Sequence, residues 1–330
     1  IKGAVQMAIT KTRTSSREEW LEDRRKSLGG SDMGAVLGMN AYASPYTVWM
    51  DKTGRTPPKE QNEWMRLGND LEDYVAERFS EKSGLKVFND TATWRNSKYP
   101  HLHANIDRRV VGQKAGVECK VTSTYNEKNY RDGKFIDSYY AQCVDYLAVT
   151  EFDRWYLVVL IYGVGVRIYQ MTRIPNDTKP DWCESSVYVD DAEIEALGKA
   201  SNDFWHYVEI DTPPPADGHP ATSEALAEMY PESNRECCDL VGYENDLNQY
   251  ITLGEQIKAL KLLQDEYANK VKSFLGETGR GESVRYKVSW STQYRTTFDK
   301  DRFFDDHKDI DMSSYYKNTA SRVFRVSAKK

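Results

Sequence analysis

The segment Val117-Glu118-Cys119-Lys120-Val121 sets a carboxylate and an ammonium two residues apart in a run of strand-forming residues. Side chains alternate faces along a strand. Val117, Cys119 and Val121 should therefore enter a core, while Glu118 and Lys120 point together to the other side. Alone, the pair also reads as a surface ion pair worth under about 1 kcal/mol. Asp107, eleven residues upstream, follows Ala104-Asn105-Ile106. A hairpin turning through Gly112-Gln113-Lys114 would bring it beside Glu118. Two hard carboxylates with open water positions suit Mg²⁺, with Mn²⁺ able to substitute. A metal held there would neutralise charge developing on a phosphodiester and lower the pKa of an attacking water. Lys120 beside that water would orient it and stabilise negative charge in the transition state.

Two further side chains fit the pattern. Glu72, in Leu67-Gly68-Asn69-Asp70-Leu71-Glu72-Asp73, lies at the edge of a helix face defined by Leu71 and Val75 and is placed to reach the metal. Asp70 and Asp73 read as solvated charges. Gln142 adjoins Ala141 and Cys143 on an inward-leaning helix face, where a polar amide needs a partner. The scissile phosphate and Lys120 are both candidates, and a structural role is the alternative.

The elements that must position these groups are read from punctuation and periodicity. Arg17 to Arg25 is a short helix with Ser16 as N-cap. The loop Leu28-Gly29-Gly30-Ser31-Asp32 leads into a helix from Met33 to Leu37, and Pro45 to Lys52 is helical. Pro57-Pro58 punctuates before a long helix, Glu63 to Ser83, which Gly84 ends. Leu85 to Trp94, His103 to Val111 and Ala115 to Thr122 read as strands, and Tyr139 to Thr150 as a helix. Trp155 to Tyr162 is nearly all apolar, as in a strand at the middle of a sheet, and forms a hairpin with Val166 to Met171. Helix and strand alternating in this way imply an α/β domain with a mixed sheet.

Asp190 to Val208 is an acidic amphipathic helix that stops at Pro213-Pro214-Pro215. The chain divides into a region 1–212, a linker-like stretch 213–240, and an extension 241–330. In the extension, Tyr243 to Leu275 is a long helix whose apolar stripe serves as core against the first region, a dimer seam or a docking arm, with core the leading reading. Val284 to Trp290 alternates as a strand with one basic face.

The chain has 330 residues and a net charge of −6. Its charge is uneven: 23 Lys and Arg against 20 Asp and Glu in residues 1–150, 10 against 24 in 151–279, and 12 against 7 in 280–330. An acidic middle between basic ends fits DNA contacts at the two ends, though uneven solvated surface gives the same totals. The arginines of 280–325, interleaved with Tyr286, Trp290, Tyr294, Phe298, Tyr315 and Tyr316, suit a grip on DNA backbone or single strand, or the wet face of a β-rich subdomain. Five cysteines with no CxxC pair exclude a secreted disulfide scaffold and a zinc site, and point to a reducing cytoplasm. No apolar run is long enough to span a membrane. The polar, basic start is not a signal peptide. Met7 reads as a natural start, with Ile1–Gln6 extraneous.

In order, Trp20, Arg24-Arg25, Leu28-Gly29-Gly30-Ser31-Asp32, Gly68…Leu71-Glu72, Asn105-Ile106-Asp107, Gly116-Val117-Glu118-Cys119-Lys120 and Tyr140-Ala141-Gln142 resemble the YqaJ-like viral recombinase nucleases, relatives of phage lambda exonuclease. The resemblance runs from Ser16 to Met171. It implies a PD-(D/E)xK, restriction-endonuclease-like core, with a mixed central sheet flanked by helices, plus a C-terminal α+β extension with a long helix. It implies Asp107, Glu118 and the Cys119 carbonyl as metal ligands and Glu72 as holder of a second metal or its water. Lys120 becomes the activator of the nucleophile, oriented by Gln142. Arg24 and Ser31, flanked by Trp20 and Arg25, match positions that hold a terminal 5′-phosphate; a surface arginine and an N-cap serine are the plainer reading. It further implies 5′→3′ digestion of double-stranded DNA ends, a ring-shaped homo-oligomer (a trimer foremost), a phage single-strand annealing partner, and a phage or prophage origin in a bacterial cytoplasm. A PD-(D/E)xK endonuclease and a non-catalytic DNA-binding module are the alternatives. Asp107 departs from the pattern in following Ile106 where proline is common.

Overall fold

The computed structural model describes residues 8–56, 62–234, 236–308, 310–311, 313–317 and 319–327. The readings made at Ile1–Met7 and Pro57-Pro58 lie outside the described residues. The chain forms two compact units, Ile1–Glu228 and Met229–Lys330.

In chain order the first unit contains β1 (Ile9–Thr12), α1 (Arg17–Arg25), β2 (Leu28–Gly29), α2 (Gly30–Val36), α3 (Pro45–Lys52), α4 (Glu63–Ser83), β3 (Val87–Asn89), β4 (Thr93–Asn96), β5 (Leu102–Asn105), β6 (Arg108–Val110) and β7 (Ala115–Thr122). A 3₁₀ turn at Thr124–Tyr130 follows, then α5 (Asp137–Thr150), β8 (Arg154–Ile161), β9 (Gly165–Thr172), β10 (Ser185–Tyr188), α6 (Asp191–Glu209) and α7 (Pro220–Met229). The second holds α8 (Glu244–Leu275), β11 (Arg280–Glu282), β12 (Lys287–Ser289) and α9 (Lys300–Asp306).

Two sheets share the work. A six-stranded mixed sheet runs β10-β9-β8-β7-β6-β3, and a four-stranded one runs β1-β4-β5-β2. β8 is central, as its apolar sequence requires: it pairs parallel with β7 and antiparallel with β9. A parallel pair needs a long crossover, which the 3₁₀ turn and α5 supply. Val75 and Phe79 of α4 pack onto Val110, Ala115, Val117, Tyr156, Val158 and Ile168, with Cys119 and Val121 at the margin of that cluster. Fully buried aromatic and aliphatic side chains of this kind contribute roughly 1.5–3 kcal/mol each. Gly116 is set by close approach, since a Cβ there would lie 2.3 Å from the Trp155 ring.

Ser16 caps α1 as expected, its side chain accepting from the Glu19 N–H. Several boundaries are corrected. Leu85 to Trp94 is two strands in different sheets, because the Asp90 carboxylate turns the chain by accepting from the Ala92 N–H at 3.2 Å and the Trp94 indole at 3.2 Å. His103 to Val111 is likewise two strands, β5 and β6, with the chain crossing between sheets at Ile106-Asp107. α2 begins at Gly30, three residues before the expected start. The stretch read as linker-like, 213–240, contains α7, which buries Ala221, Thr222 and Ala225. There the Thr222 hydroxyl donates to Ser44 Oγ at 2.7 Å, and the His219 ring meets the Asn40 carbonyl at 2.9 Å. α8 has no buried residue. The expected strand Val284 to Trp290 pairs only over β12.

Candidate active site

Strand alternation places the site. Val117 enters the core under α4, and Glu118, the next residue, faces the opposite side, toward α5. Glu118 is 2% exposed. Its Oε1 accepts from Gln142 Nε2 at 2.7 Å and lies 2.5 Å from Lys120 Nζ. Its Oε2 is buried and has no hydrogen-bond partner among the described residues. Asp107 stands where the chain leaves one sheet for the other. The register Arg108↔Val117 brings it alongside, and its Oδ2 accepts from the Cys119 N–H at 2.8 Å.

The electrostatics follow from this crowding. Burial, then the charge of Glu118, pushes the Asp107 carboxyl well above the usual carboxylate range, with Glu72 adding to it and Lys120 opposing. Burial alone would discharge Lys120, but Glu118, Tyr139 and Asp107 together hold its pKa above the ordinary value. The Lys120 Nζ also lies 4.9 Å from the centre of the Tyr139 ring. A bare carboxylate oxygen and a second, half-buried carboxyl that repel one another form a donor set that a divalent cation would complete. Asp107 and Glu118 fit Mg²⁺ or Mn²⁺, which bind through few protein oxygens and keep several waters.

Glu72, expected to hold a second metal or its water, is met by a guanidinium. Arg108, 5% exposed, donates to Glu72 Oε1 at 2.5 Å, to the Asp107 carbonyl at 2.6 Å and to Asp73 Oδ1 at 2.5 Å. Glu72 is thus engaged by a guanidinium, and among the described residues no three His, Cys, Asp or Glu side chains form a metal cage. Asp73, expected to be a solvated charge, is 95% exposed while it shares that arginine. Gln142 holds Glu118 rather than Lys120, and its amide also donates to the Tyr146 hydroxyl at 2.6 Å. Arg108 and Tyr146 escaped the sequence reading. Their signals were adjacency to Asp107 and the i+4 position from Gln142 on one helix face.

The second group of candidates lies at α1, β2 and α2. Arg24 donates to Ser31 Oγ at 3.2 Å and lies over the Trp20 ring at 4.8 Å, while Arg25 is exposed. The support beneath is a buried ion pair that sequence gave no sign of. Lys52 Nζ meets Asp32 Oδ2 at 2.6 Å and donates to the Arg24 carbonyl at 3.0 Å, while Asp32 accepts from the Gly29 N–H at 2.9 Å. Burial pushes the Asp32 carboxyl up, but Lys52 and Arg24 overcome it and hold it below its ordinary value. This group adjoins the carboxylate site through Gly30, where a Cβ would lie 2.8 Å from Gln142 Cγ.

The fold and this constellation define a mixed α/β core, with its acidic pair and lysine just before β6 and on β7 and a glutamine from the following helix. The signature of the YqaJ-like viral recombinase domain spans residues 19–153. YqaJ of Bacillus subtilis (strain 168) is 34% identical over 319 residues, covering 94% of this chain and 95% of that protein. The chain belongs to the YqaJ-like viral recombinase family. Protein R354 of Acanthamoeba polyphaga mimivirus is 24% identical over 149 residues, 41% of this chain and 27% of its own length. Among solved structures, the alkaline exonuclease LHK-Exo of Laribacter hongkongensis is similar at 19% identity and a TM-score of 0.48, over 59% of this chain and 93% of its own.

Proposed function

We propose that the chain is a Mg²⁺-dependent deoxyribonuclease that digests double-stranded DNA ends 5′→3′ and leaves 3′ single-stranded overhangs. The observation that carries this reading is the division of labour on Glu118: one oxygen fixed by Lys120 and Gln142, the other bare beside half-buried Asp107. Asp107, Glu118 and the Cys119 carbonyl would hold the ion. When bound, it supplies charge neutralisation and an acidified water. Lys120 orients the attacking water and stabilises charge on the phosphate. Gln142 keeps Glu118 aimed, and Arg108 ties Glu72 to the backbone of Asp107. Arg24 and Ser31 offer a guanidinium and a hydroxyl to a terminal 5′-phosphate. The reading carries with it a ring-shaped homo-oligomer, a trimer foremost, a single-strand annealing partner and a phage-type recombination role.

The test uses linear duplex labelled at either end, with or without 5′-phosphate, in Mg²⁺ or EDTA. Mononucleotides released from 5′ ends in Mg²⁺, and absent in Glu118→Ala and Lys120→Ala, are expected. A slower rate without 5′-phosphate, lost in Arg24→Ala, is expected of the end grip. Cuts within circular DNA would reassign the chain as an endonuclease. Binding without hydrolysis in either Mg²⁺ or Mn²⁺ would leave a DNA-binding module.

A further inference from the structure

Residues 280–298 carry four cations, Arg280, Arg285, Lys287 and Arg295, against one anion, Glu282. Four aromatic residues are set among them: Tyr286, Trp290, Tyr294 and Phe298. In the β11–β12 hairpin Gly281 pairs with Val288 and Glu282 with Lys287, and paired residues share a face. The Trp290 N–H continues the ladder by donating to the Gly279 carbonyl at 2.8 Å, and the Ser283 N–H closes the turn onto the Tyr286 carbonyl at 2.8 Å. Alternation therefore puts Tyr286, Val288 and Trp290 on one face, and Arg280, Lys287 and its ion-pair partner Glu282 on the other, with Arg285 in the turn between the strands. Leu275 covers Gly281 on the aromatic face. The rings at its two ends stay exposed, Tyr286 at 71% and Trp290 at 48%. Tyr294 and Phe298 follow at 97% and 71%.

We propose that this segment of the second unit binds single-stranded DNA. Rings serving as core would be covered, and a surface that only touched duplex phosphates would need the cations without the rings. Bases in a duplex hide their faces against one another, whereas each base of a single strand offers a π-face to an exposed ring, at about 1–3 kcal/mol per stack. The cations, in the turn, beyond the hairpin and on its other face, add a longer-range attraction for the phosphates. The proposal deepens the nuclease reading by naming where the strand spared by 5′→3′ digestion is held, although the binding itself needs no hydrolysis.

The test is fluorescence anisotropy of a labelled oligo(dT) of about 20 nucleotides, longer than the roughly 4–16 that such surfaces cover. It is run in EDTA with the full chain, beside a blunt duplex of equal length. Trp290→Ala and Tyr294→Ala should each weaken oligo(dT) binding by about 5- to 150-fold, with duplex binding changed far less, and Trp290→Phe should retain it. Unchanged affinity in both alanine variants overturns the proposal. So does a loss of binding that accompanies a smaller sedimenting species, which would make the rings a contact between copies of the chain. Hydrolysis in Mg²⁺ is scored separately on the wild-type chain. Oligonucleotide binding without hydrolysis sinks the nuclease reading alone, and hydrolysis with ring-independent binding sinks this one alone.

Discussion

Replacing Gln142 with alanine removes one hydrogen bond from the Glu118 carboxylate and leaves the rest of that residue's surroundings in place. The bond is short, 2.7 Å, and its acceptor is 2% exposed, so water does not take over the donor's role. A hydrogen bond to a charged group contributes about 1.5–3 kcal/mol. Expressed on the barrier, that is roughly a 10- to 150-fold slower reaction at 25 °C. Partners that orient a metal ligand typically cost about 10- to 100-fold in metal affinity or activity when removed, so the two routes agree. The assay is hydrolysis of 5′-phosphorylated duplex across a Mg²⁺ titration. Gln142→Ala should require more Mg²⁺ for half-maximal rate and turn over more slowly at saturation. Gln142→Glu, which sets a second negative charge against Glu118, should do worse. If Gln142→Ala stays within about twofold of wild type in both quantities while Glu118→Ala is inert, the amide does not position the carboxylate and the site was misread.

Two other perturbations test the scaffold. Lys52→Met strands Asp32 without its 2.6 Å partner and should cost about 3–5 kcal/mol by urea unfolding; a loss under about 1 kcal/mol would mean the pair is dispensable. Because the folded-state pKa of Asp32 is depressed, its stabilisation is full above the unfolded value, near 3.9, and fades as pH falls through the folded one. Asp32→Asn should accordingly flatten the acid limb of a stability-versus-pH curve. Asp145 has the opposite sign. It is fully buried, both carboxyl oxygens lack partners among the described residues, and burial followed by the charge of Asp32 pushes its pKa well up. Its folded form keeps a proton that the unfolded chain gives up, so stability drains as pH rises above about 4. Asp145→Asn should raise the pH 7 melting temperature, and a drop would show that the carboxyl has a structural partner.

The catalytic strand was legible because its information is local. A period of two fixes which residues share a face, and an apolar run such as Trp155–Ile161 fits only the middle of a sheet. Caps were legible for the same reason, as Ser16 demonstrates. The switch of sheets at Ile106-Asp107 was not, because extended residues look alike whichever neighbour they pair with. The Lys52–Asp32 pair joins separate helices, so no spacing rule reaches it. Glu72 was placed correctly on its helix, but its capture by Arg108 depends on how α4 lies across β6. The apolar period of α8 was correctly read as helix, yet periodicity cannot say whether a stripe is covered.

The strand β5 has a consequence for step length. β2 pairs with it in the register Gly29↔His103, so the ends of α1 and α2 that carry Arg24 and Ser31 are tied to one part of β5. Asp107 follows four residues beyond His103, just past the end of β5 where the chain changes sheets. On the proposed reading, the grip on the DNA terminus and the first metal ligand are the two marks of one short ruler. Its rigidity, rather than recognition of any base, would set how far from the end each cut falls.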